Sequence, residues 1–250
     1  MNKLLNANFY RLKKSHCFWT LFIIISLLGI YMYINNNGFN PETCVNCENE
    51  LGKVFFSFLP WNWIIMPIFI SIFTGNDFTD GTVKNKIIVG HSRLSIYLSN
   101  LLVNIMVGFI YSAIYIIITV ITSLILKYSI TIPTNKFIDL LIISIFLNIS
   151  LSAIFTFISM ICSGKSSGTI SLVVVIWSII ITTGLLAKLS SATGIYKTLY
   201  ECILKLIPFA QAIQINELTN NYGDFLIYSI VLIIIFNFYG IILFDRKELN

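Results

Sequence analysis

LSIYLSNLLVNIMVGFIYSAIYIIITVITSLIL, residues 94–126, runs for 33 residues without a charged side chain. A helix needs about 20 apolar residues to cross the ~30 Å hydrocarbon layer of a bilayer, so this stretch alone is long enough to span a membrane. Five further uncharged runs have at least 20 residues each: 17–41, 54–76, 140–164, 166–187 and 225–244. The sequence therefore predicts six spans, at about 17–35, 54–75, 96–126, 138–162, 169–187 and 225–244.

The composition indicates a membrane protein and favours helices over a barrel. Of the 250 residues 57% are hydrophobic and 11% are charged, and the mean hydropathy is +0.86, whereas a soluble domain has about 25% charged residues. The apolar runs are continuous, but barrel strands alternate at every second residue. In lipid a helix forms all the hydrogen bonds of its backbone within itself. We therefore predict an all-α polytopic membrane protein with one transmembrane domain over residues 1–250.

The first residues predict a short amphipathic helix on the membrane surface. Within residues 2–14, Leu5, Phe9 and Leu12 fall at i, i+4 and i+7, which places them on one helical face. A frayed basic tail is the alternative. The following apolar run is too long for the core of a cleavable signal peptide, so we expect the first span to remain as an anchor. The basic residues expected at the membrane interface are Arg11, Lys13 and Lys14.

The distribution of charge predicts the side of the membrane on which each loop lies. If both termini lie on one side, that side holds ten Lys and Arg residues and four acidic residues. The other side then holds six Lys residues and seven acidic residues. The positive-inside rule then places both termini in the cytoplasm. The basic residues are scattered at the ends of spans and do not form one patch, which indicates contact with anionic lipid and no nucleic-acid partner.

Two segments on the predicted outer side have recognisable patterns. Trp61 and Trp63 suit an aromatic belt at the membrane interface, and Pro60 and Pro67 are expected to bend or break the start of the second span. Between spans five and six, residues 195–221 have apolar side chains at helical spacing over stretches too short to cross a bilayer. We expect two short re-entrant helices there, with a surface-lying helical loop as the alternative.

The cysteines suggest a disulfide and no metal site. Cys44 and Cys47 form a C-x-x-C pair on the predicted outer side, which also holds Cys202. Because this side is oxidising, a disulfide among the three is expected, most simply between Cys44 and Cys47, and unpaired thiols are the alternative. The chain has no second C-x-x-C, and both of its His residues fall on the opposite side, so a zinc site is not expected.

No arrangement of residues points to catalysis. The stretch SGKSSG, residues 163–168, contains GKS, but a phosphate-binding loop needs Gly where Ser159 stands. No span centre carries an acid, a base or a His, which argues against an ion-coupled carrier and an intramembrane hydrolase. We therefore expect a chain that is not an enzyme, with no catalytic residue, no metal and no bound cofactor, so that energy for any transport arrives from a partner.

The charged residues of this apolar chain gather between the second and third spans. The stretch DFTDGTVKNKIIVGHSR, residues 77–93, holds five of them. Asp80 and Gly81 predict a turn, and Thr82 is a suitable N-cap for a short helix. Gly90 supplies its C-terminal stop. The sequence thus predicts a short polar helix that projects from the membrane just before the third span.

The same stretch carries a resemblance to a known family. From Asp77 to Leu102 the chain follows D-F-x-D-G-T-x-K-N-K-I-x-x-G-x-S-R-x-x-I-Y-L-S-x-L-L. This resembles a segment of type-2 ABC transporter permeases that usually reads E-F-x-x-G-T-x-[KR]-x-x-x-x-x-G-x-S-R-x-x-I-Y-x-x-K. The chain looks most like the small permeases of bacitracin and lantibiotic self-protection transporters. It departs from the pattern at Asp77, where Glu is usual, and at Asn100, where Lys is common.

The resemblance implies a function and a set of partners. In such transporters the helix between spans two and three is cytoplasmic, sits in a cleft of the ATPase subunit and is called the coupling helix. The implied assembly has two copies of a separate ATPase, which bind ATP and Mg, and two permeases that form a homodimer or a heterodimer in a bacterial cell membrane. Residues implied as its frame and contacts are Asp77, Phe78, Gly81, Thr82, Lys84, Lys86, Gly90 and Arg93.

The implied activity is export of antimicrobial peptides, or of similar amphiphiles, for self-protection or resistance. A second class of function remains compatible with the residues. A non-transporting scaffold or sensor would use residues 77–93 to bind a cytoplasmic kinase or another enzyme. Co-purification separates the two, because an exporter brings down an ATPase with its own phosphate-binding loop.

Overall fold

The computed structural model describes residues 1–37, 56–125, 134–162, 164, 166–216 and 222–247. These residues form α-helices and contain no strand. The described helices are α1 (Asn2–Lys14), α2 (His16–Asn37), α3 (Phe58–Thr79), α4 (Thr82–Ile88), α5 (Arg93–Ile125), α6 (Thr134–Cys162), α7 (Ser166–Leu189), α8 (Ile195–Leu206), α9 (Pro208–Asn216) and α10 (Tyr222–Arg246).

Six of these helices are long and apolar enough to cross a membrane, which confirms the all-α class with six candidate spans. They are α2, α3, α5, α6, α7 and α10. The prediction of a break at the start of the second span is wrong, because α3 runs without interruption from Phe58 to Thr79 and contains Pro67. A bend there stays a prediction. Pro60 lies in the first turn, where backbone N–H groups have no intrahelical acceptor to lose. Neither proline therefore breaks the helix.

The core of the bundle is built around α3 and α6. In the most apolar part of each span, 72% of the residues of α3 and 67% of those of α6 are buried inside this chain, against 17% for α7 and 11% for α10. Fully buried Phe69 on α3 and Tyr111 on α5 have ring centroids 6.2 Å apart, and fully buried Phe155 on α6 packs against Trp63 of α3 at 5.3 Å. The ring of Tyr111 also stacks on Phe18 of α2 at a centroid distance of 5.6 Å. The outer helices α7 and α10 present most of their apolar surface outward.

Buried polar side chains connect the central helices. Asn104 of α5 donates to Thr156 of α6 over 2.8 Å, and Asn62 of α3 donates to Asn148 of α6. Hydrogen bonds of this kind hold spans together where lipid gives no hydrophobic drive between helices. At Gly75 the absence of a side chain lets the backbone pack closely against a neighbouring segment. A Cβ on Gly75 would lie 3.0 Å from the carbonyl oxygen of Gly164.

One end of the bundle, called here the terminal face, carries both ends of the described chain. It comprises α1, the start of α2, the connection 80–92 with α4, and residues 244–247. Helix α1 packs against α5 through the side that buries Leu4, Asn8 and Leu12. Helices α8 and α9 follow α7 in the chain and lie at the opposite end, where α9 packs against α3, α6 and α7.

Candidate functional site

The connection between α3 and α5 folds as the sequence predicts in outline. Gly81 has a φ of 67°, in the left-handed region where Gly is favoured, and α4 begins directly after it. At the other end of α4 the Gly90 N–H donates to the Ile87 carbonyl oxygen and the His91 N–H donates to the Lys86 carbonyl oxygen. This pair of hydrogen bonds is the Schellman motif. Gly90, with a φ of 95°, is therefore the residue that ends α4.

Thr82 does not cap the helix as expected. The N-cap position belongs to Gly81, and no side chain bonds to the helix start there. Instead the Thr82 hydroxyl lies 2.6 Å from Oδ1 of Asp77 and 3.0 Å from the Asp77 carbonyl oxygen. Thr82 is the first residue of α4, one position after the N-cap, and its hydroxyl donates to the Asp77 carboxylate, whereas a capping side chain would accept from the N–H groups of the first turn.

Asp77 is the centre of a buried polar group on the terminal face. Its side chain is fully buried, and it pairs with Arg11 of α1 and with Lys86 of α4, the latter at 3.2 Å. Asn100 Nδ2 of α5 lies 3.4 Å from the same carboxylate. With Asn8 of α1, described next, these residues form what is called here the Asp77 cluster: Asn8, Arg11, Asp77, Thr82, Lys86 and Asn100.

Asn8 closes the Asp77 cluster from the side of α1. Its amide nitrogen donates to Asn100 Oδ1 over 2.8 Å, and its amide oxygen accepts from Lys86 Nζ over 3.1 Å. Sequence reasoning missed Asn8, because a lone Asn on an amphipathic helix carries no signal of a partner 92 residues away. Asn100 stood out in the sequence only because it departs from the family pattern, in which Lys is common at this position.

The cluster places two cations on one carboxylate in a buried setting. Burial lowers the pKa of Lys86, and the neighbouring Asp77 carboxylate opposes that shift. Removing a single partner from such a group leaves an uncompensated buried charge, which costs about 3–5 kcal/mol. The cluster therefore fixes the relative positions of α1, α3, α4 and α5 at the terminal face.

Phe78 and Arg93 connect the same region to the last helix. Phe78 packs edge-on against Phe244 with ring centroids 6.4 Å apart, and Lys247 Nζ lies 4.7 Å from its ring centroid. Nη1 of Arg93 lies 3.1, 2.7 and 2.6 Å from the carbonyl oxygens of Phe244, Asp245 and Lys247. A cation at a helix C-terminus is favourable, so Arg93 ties the start of α5 to the end of α10.

Lys247 extends this connection to α6. Its Nζ donates to the carbonyl oxygens of Met160 and Ile161 over 3.0 and 2.7 Å, which are among the last carbonyls of that helix. Burial lowers the pKa of this lysine. Helices α6 and α10 are thus held at their ends by cations from neighbouring elements.

The two lysines of α4 point in different directions. Lys86 faces inward to the Asp77 cluster, whereas Lys84 is exposed and makes no ion pair within the described part of the chain. The outward side of α4 also bears Ile88, exposed to 82%, and Val89, exposed to 76%. This apolar tip was not among the predicted site residues, because the sequence shows that Lys84 and Ile88 share one side of α4 but not that this side is exposed.

The predicted interface residues separate into two groups. Lys13 and Lys14 are exposed, but Arg11 is partly buried in the Asp77 cluster. Trp61 is partly exposed, whereas Trp63 is 3% exposed and donates its indole N–H to Ser178 over 2.7 Å. The expectation of an aromatic belt is therefore wrong for Trp63, because a hydroxyl on α7 satisfies its polar atom inside the bundle.

The structure describes only one of the three cysteines predicted to form a disulfide. Cys202 is exposed and carries a free thiol. Cys44 and Cys47 lie outside the described residues, so their pairing stays a prediction. Among the residues that the structure describes, no group of three or more His, Cys, Asp or Glu side chains could hold a metal ion.

Comparison with known families decides the class of the chain. A family model described as "ABC-2 family transporter protein" matches residues 4–184. The chain belongs to the ABC-2 transporter family. The match takes in α1 to α6 and most of α7, so it includes the Asp77 cluster and α4. This ABC-2 protein is a multi-pass membrane permease, and permeases of its family generally work with an ATPase subunit. No curated protein matches the chain.

Proposed function

We propose that this chain is the permease subunit of an ATP-driven exporter and that α4 is the helix through which a separate ATPase drives it. The observation that carries the proposal is the two-sided character of α4. Its inner side buries Val83 and holds Lys86 in the Asp77 cluster, and its outer side presents Lys84, Ile88 and Val89 to a partner.

The contacts of the terminal face suit transmission of force. A push on α4 reaches α1, α3 and α5 through the Asp77 cluster. It reaches α10 through Phe78 and Arg93, which contact Phe244 and the carbonyls after it. A rigid group of this kind moves several spans together, as a change between inward-open and outward-open states requires.

The proposed orientation places the terminal face in the cytoplasm of a bacterial cell. It rests on the ten Lys and Arg residues on that side against six on the other. ATP and Mg then bind to the partner ATPase, and the chain itself performs no catalysis and binds no cofactor. The scaffold or sensor function would use the same exposed side of α4 for a kinase or another enzyme.

The proposed transporter contains two permeases and two ATPases. In their most apolar parts, helices α7 and α10 have only 17% and 11% of their residues buried within one chain, which leaves apolar faces for a second permease, either identical or a sister chain. The proposed substrates are lantibiotic-like or bacitracin-like peptides and similar amphiphiles. Support for this class comes from the resemblance of residues 77–102 and from the apolar side chains that α8 exposes at the opposite end, Ile195, Leu199 and Leu206.

The test uses two isoleucines of similar exposure at opposite ends of the molecule. Ile88 is 82% exposed and Ile195 is 78% exposed. Ile88→Asp places a charge in the proposed ATPase contact, whereas Ile195→Asp makes the same change elsewhere. We expect Ile88→Asp to lower co-purification of the ATPase and its stimulated ATP hydrolysis by about tenfold or more, since desolvating an unpaired charge at an interface costs several kcal/mol.

The control should retain co-purification of the ATPase and hydrolysis without substrate, because Ile195 lies far from α4; its hydrolysis with substrate is not compared, since Ile195 belongs to the surface proposed to meet the peptide. An equal loss of co-purification in Ile195→Asp, or full co-purification and hydrolysis in Ile88→Asp, would contradict the assignment of α4. Recovery of a kinase or another enzyme without an ATPase would favour the scaffold function. The complex is measured as isolated from its own membrane, with ATP hydrolysis followed with and without peptide substrate.

A further inference from the structure

A cavity of about 450 Å³ opens on the terminal face between the end of α1, the start of α2 and the end of α3. It adjoins the Asp77 cluster through Arg11 but lies outside it. Its walls combine cationic and polar side chains with apolar ones from a candidate span. The side chains that matter to the argument are Tyr10, Arg11, Lys14, Ile72, Asn76 and Asp80.

Positive charge at this cavity is not balanced by the residues around it. Lys14 Nζ lies 4.5 Å from the ring centroid of Tyr10, and no carboxylate within the described ranges pairs with it. Arg11 shares the single carboxylate of Asp77 with Lys86, which leaves the Asp77 cluster with one excess positive charge. The lining includes one acid, Asp80, whose side chain is exposed.

The donors that face the cavity suit an anion with several oxygens. Only Nη1 of Arg11 bonds to Asp77 among the described contacts, so other N–H groups of the guanidinium stay available. The Lys14 ammonium adds three donors, and the amide of Asn76 adds two more. Phosphate oxygens accept readily from Arg and Lys in this way.

The position of the cavity indicates where such an anion comes from. Ile72, on the α3 wall, is 42% exposed and lies inside a candidate span, so an acyl chain can lie against it. Arg11 and Lys14 belong to α1, which ends at Lys14, two residues before the first candidate span begins at His16, and the ends of spans are where headgroups are expected. Cations at this depth are attracted to lipid phosphate.

We propose that this cavity binds a phosphate group, supplied by a membrane phospholipid or by free phosphate, with Lys14 as its main ligand. The site is separate from the proposed ATPase contact on the outer side of α4. A bound phosphate supplies negative charge that balances the excess positive charge of the Asp77 cluster and Lys14. It also holds the junction of α1 and α2 against α3.

The experiment measures lipid binding to the purified full chain by native mass spectrometry in a neutral detergent. The probes are phosphatidylglycerol, diacylglycerol with the same acyl chains, and inorganic phosphate. Wild-type chain should bind one phosphatidylglycerol tightly and diacylglycerol far more weakly, because only the former carries phosphate. Lys14→Gln should weaken this binding about fivefold, as expected for one basic residue near an anionic headgroup.

Lys13→Gln is the matched control, because it removes the same charge from the same turn of α1. Lys13 is exposed and does not line the cavity, so its loss should change binding less than twofold, and Lys14→Arg should bind as the wild type does. Inorganic phosphate that binds in a Lys14-dependent manner and displaces the lipid would identify free phosphate as the source. Equal losses in Lys13→Gln and Lys14→Gln, or no loss in either, would overturn the site.

Discussion

Among the residues that the structure describes, two Lys–Asp pairs lie at opposite ends of the bundle, and their lysine pKa values shift in opposite directions. Lys86 and Asp77 lie 3.2 Å apart with the carboxylate fully buried, whereas Lys205 and Asp224 lie 2.5 Å apart with a carboxylate that is 48% exposed. Burial lowers the pKa of Lys86, but the hydrogen bond to Asp224 raises the pKa of Lys205. The shorter contact is therefore the weaker constraint, because solvent screens it.

Removing each carboxylate in turn should produce the largest contrast. Asp77→Asn leaves Arg11 and Lys86 buried without their counter-ion, so we expect the free energy of unfolding to fall by about 3 kcal/mol or more. Asp224→Asn should lower it by about 0.5 kcal/mol or less. Unfolding in mixed micelles, with denaturant titrated against helical signal, measures both. Equal losses in the two variants would break the comparison.

The count of cations in the Asp77 cluster offers a second test. Asn100→Lys introduces the residue that resembling permeases commonly carry, and here it would add a third cation beside one carboxylate. We expect a loss of about 2 kcal/mol in the free energy of unfolding, since a buried unpaired charge is costly. Asn100→Lys combined with Lys86→Met should recover most of the loss. An unchanged or lower stability of the double variant would show that shape, and not charge, decides this position.

The end of α10 should depend on Arg93 and much less on its own last basic residue. Arg93→Gln removes the contacts to the carbonyls of Phe244, Asp245 and Lys247, with an expected cost of about 1 kcal/mol. Arg246→Gln changes an exposed side chain of the same helix and serves as the control. Hydrogen exchange of residues 240–247, followed by mass spectrometry, should accelerate in the first variant only. Faster exchange in both would refute the specific role of Arg93.

The smallest expected effect is the dependence of stability on alkaline pH. The folded pKa of Lys86 is lowered, so the unfolded chain binds more protons between that value and the ordinary one, and stability should rise with pH there. The folded pKa of Lys205 is raised, so its stabilisation is present below the ordinary value and is lost as pH rises through the folded one. Lys86→Met should remove the rise and Lys205→Met the fall. Identical profiles for the two variants would contradict the opposite shifts.

The six spans follow from the sequence because uncharged length and hydropathy dominate insertion in lipid. The position of α4 follows too, from the turn at Gly81 and the stop at Gly90. What the sequence does not reveal is side-chain pairing across long separations. Asn8 meets Asn100 only after α1 has packed on α5, and the indole N–H of the buried Trp63 finds its acceptor, Ser178, on another span.

The division of α4 into two sides lies between these cases. In a helix of seven residues, Val83 and Lys86 are three positions apart and share one side, while Lys84 and Ile88 share the other. That spacing was visible in the sequence. The sequence did not show which side of α4 faces the bundle. That side is set by the buried Asp77 carboxylate at the end of α3, which pairs with Lys86.

The most direct test of the account is a photo-crosslink from the tip of α4 in intact cells. A photoreactive amino acid replaces Ile88 in one strain and Ile195 in another, two positions of nearly equal exposure at opposite ends of the bundle. If α4 is the ATPase contact, position 88 should capture an ATPase with its own phosphate-binding loop and position 195 should not. Capture of the ATPase from position 195, or of only a kinase or another enzyme from position 88, would contradict the account.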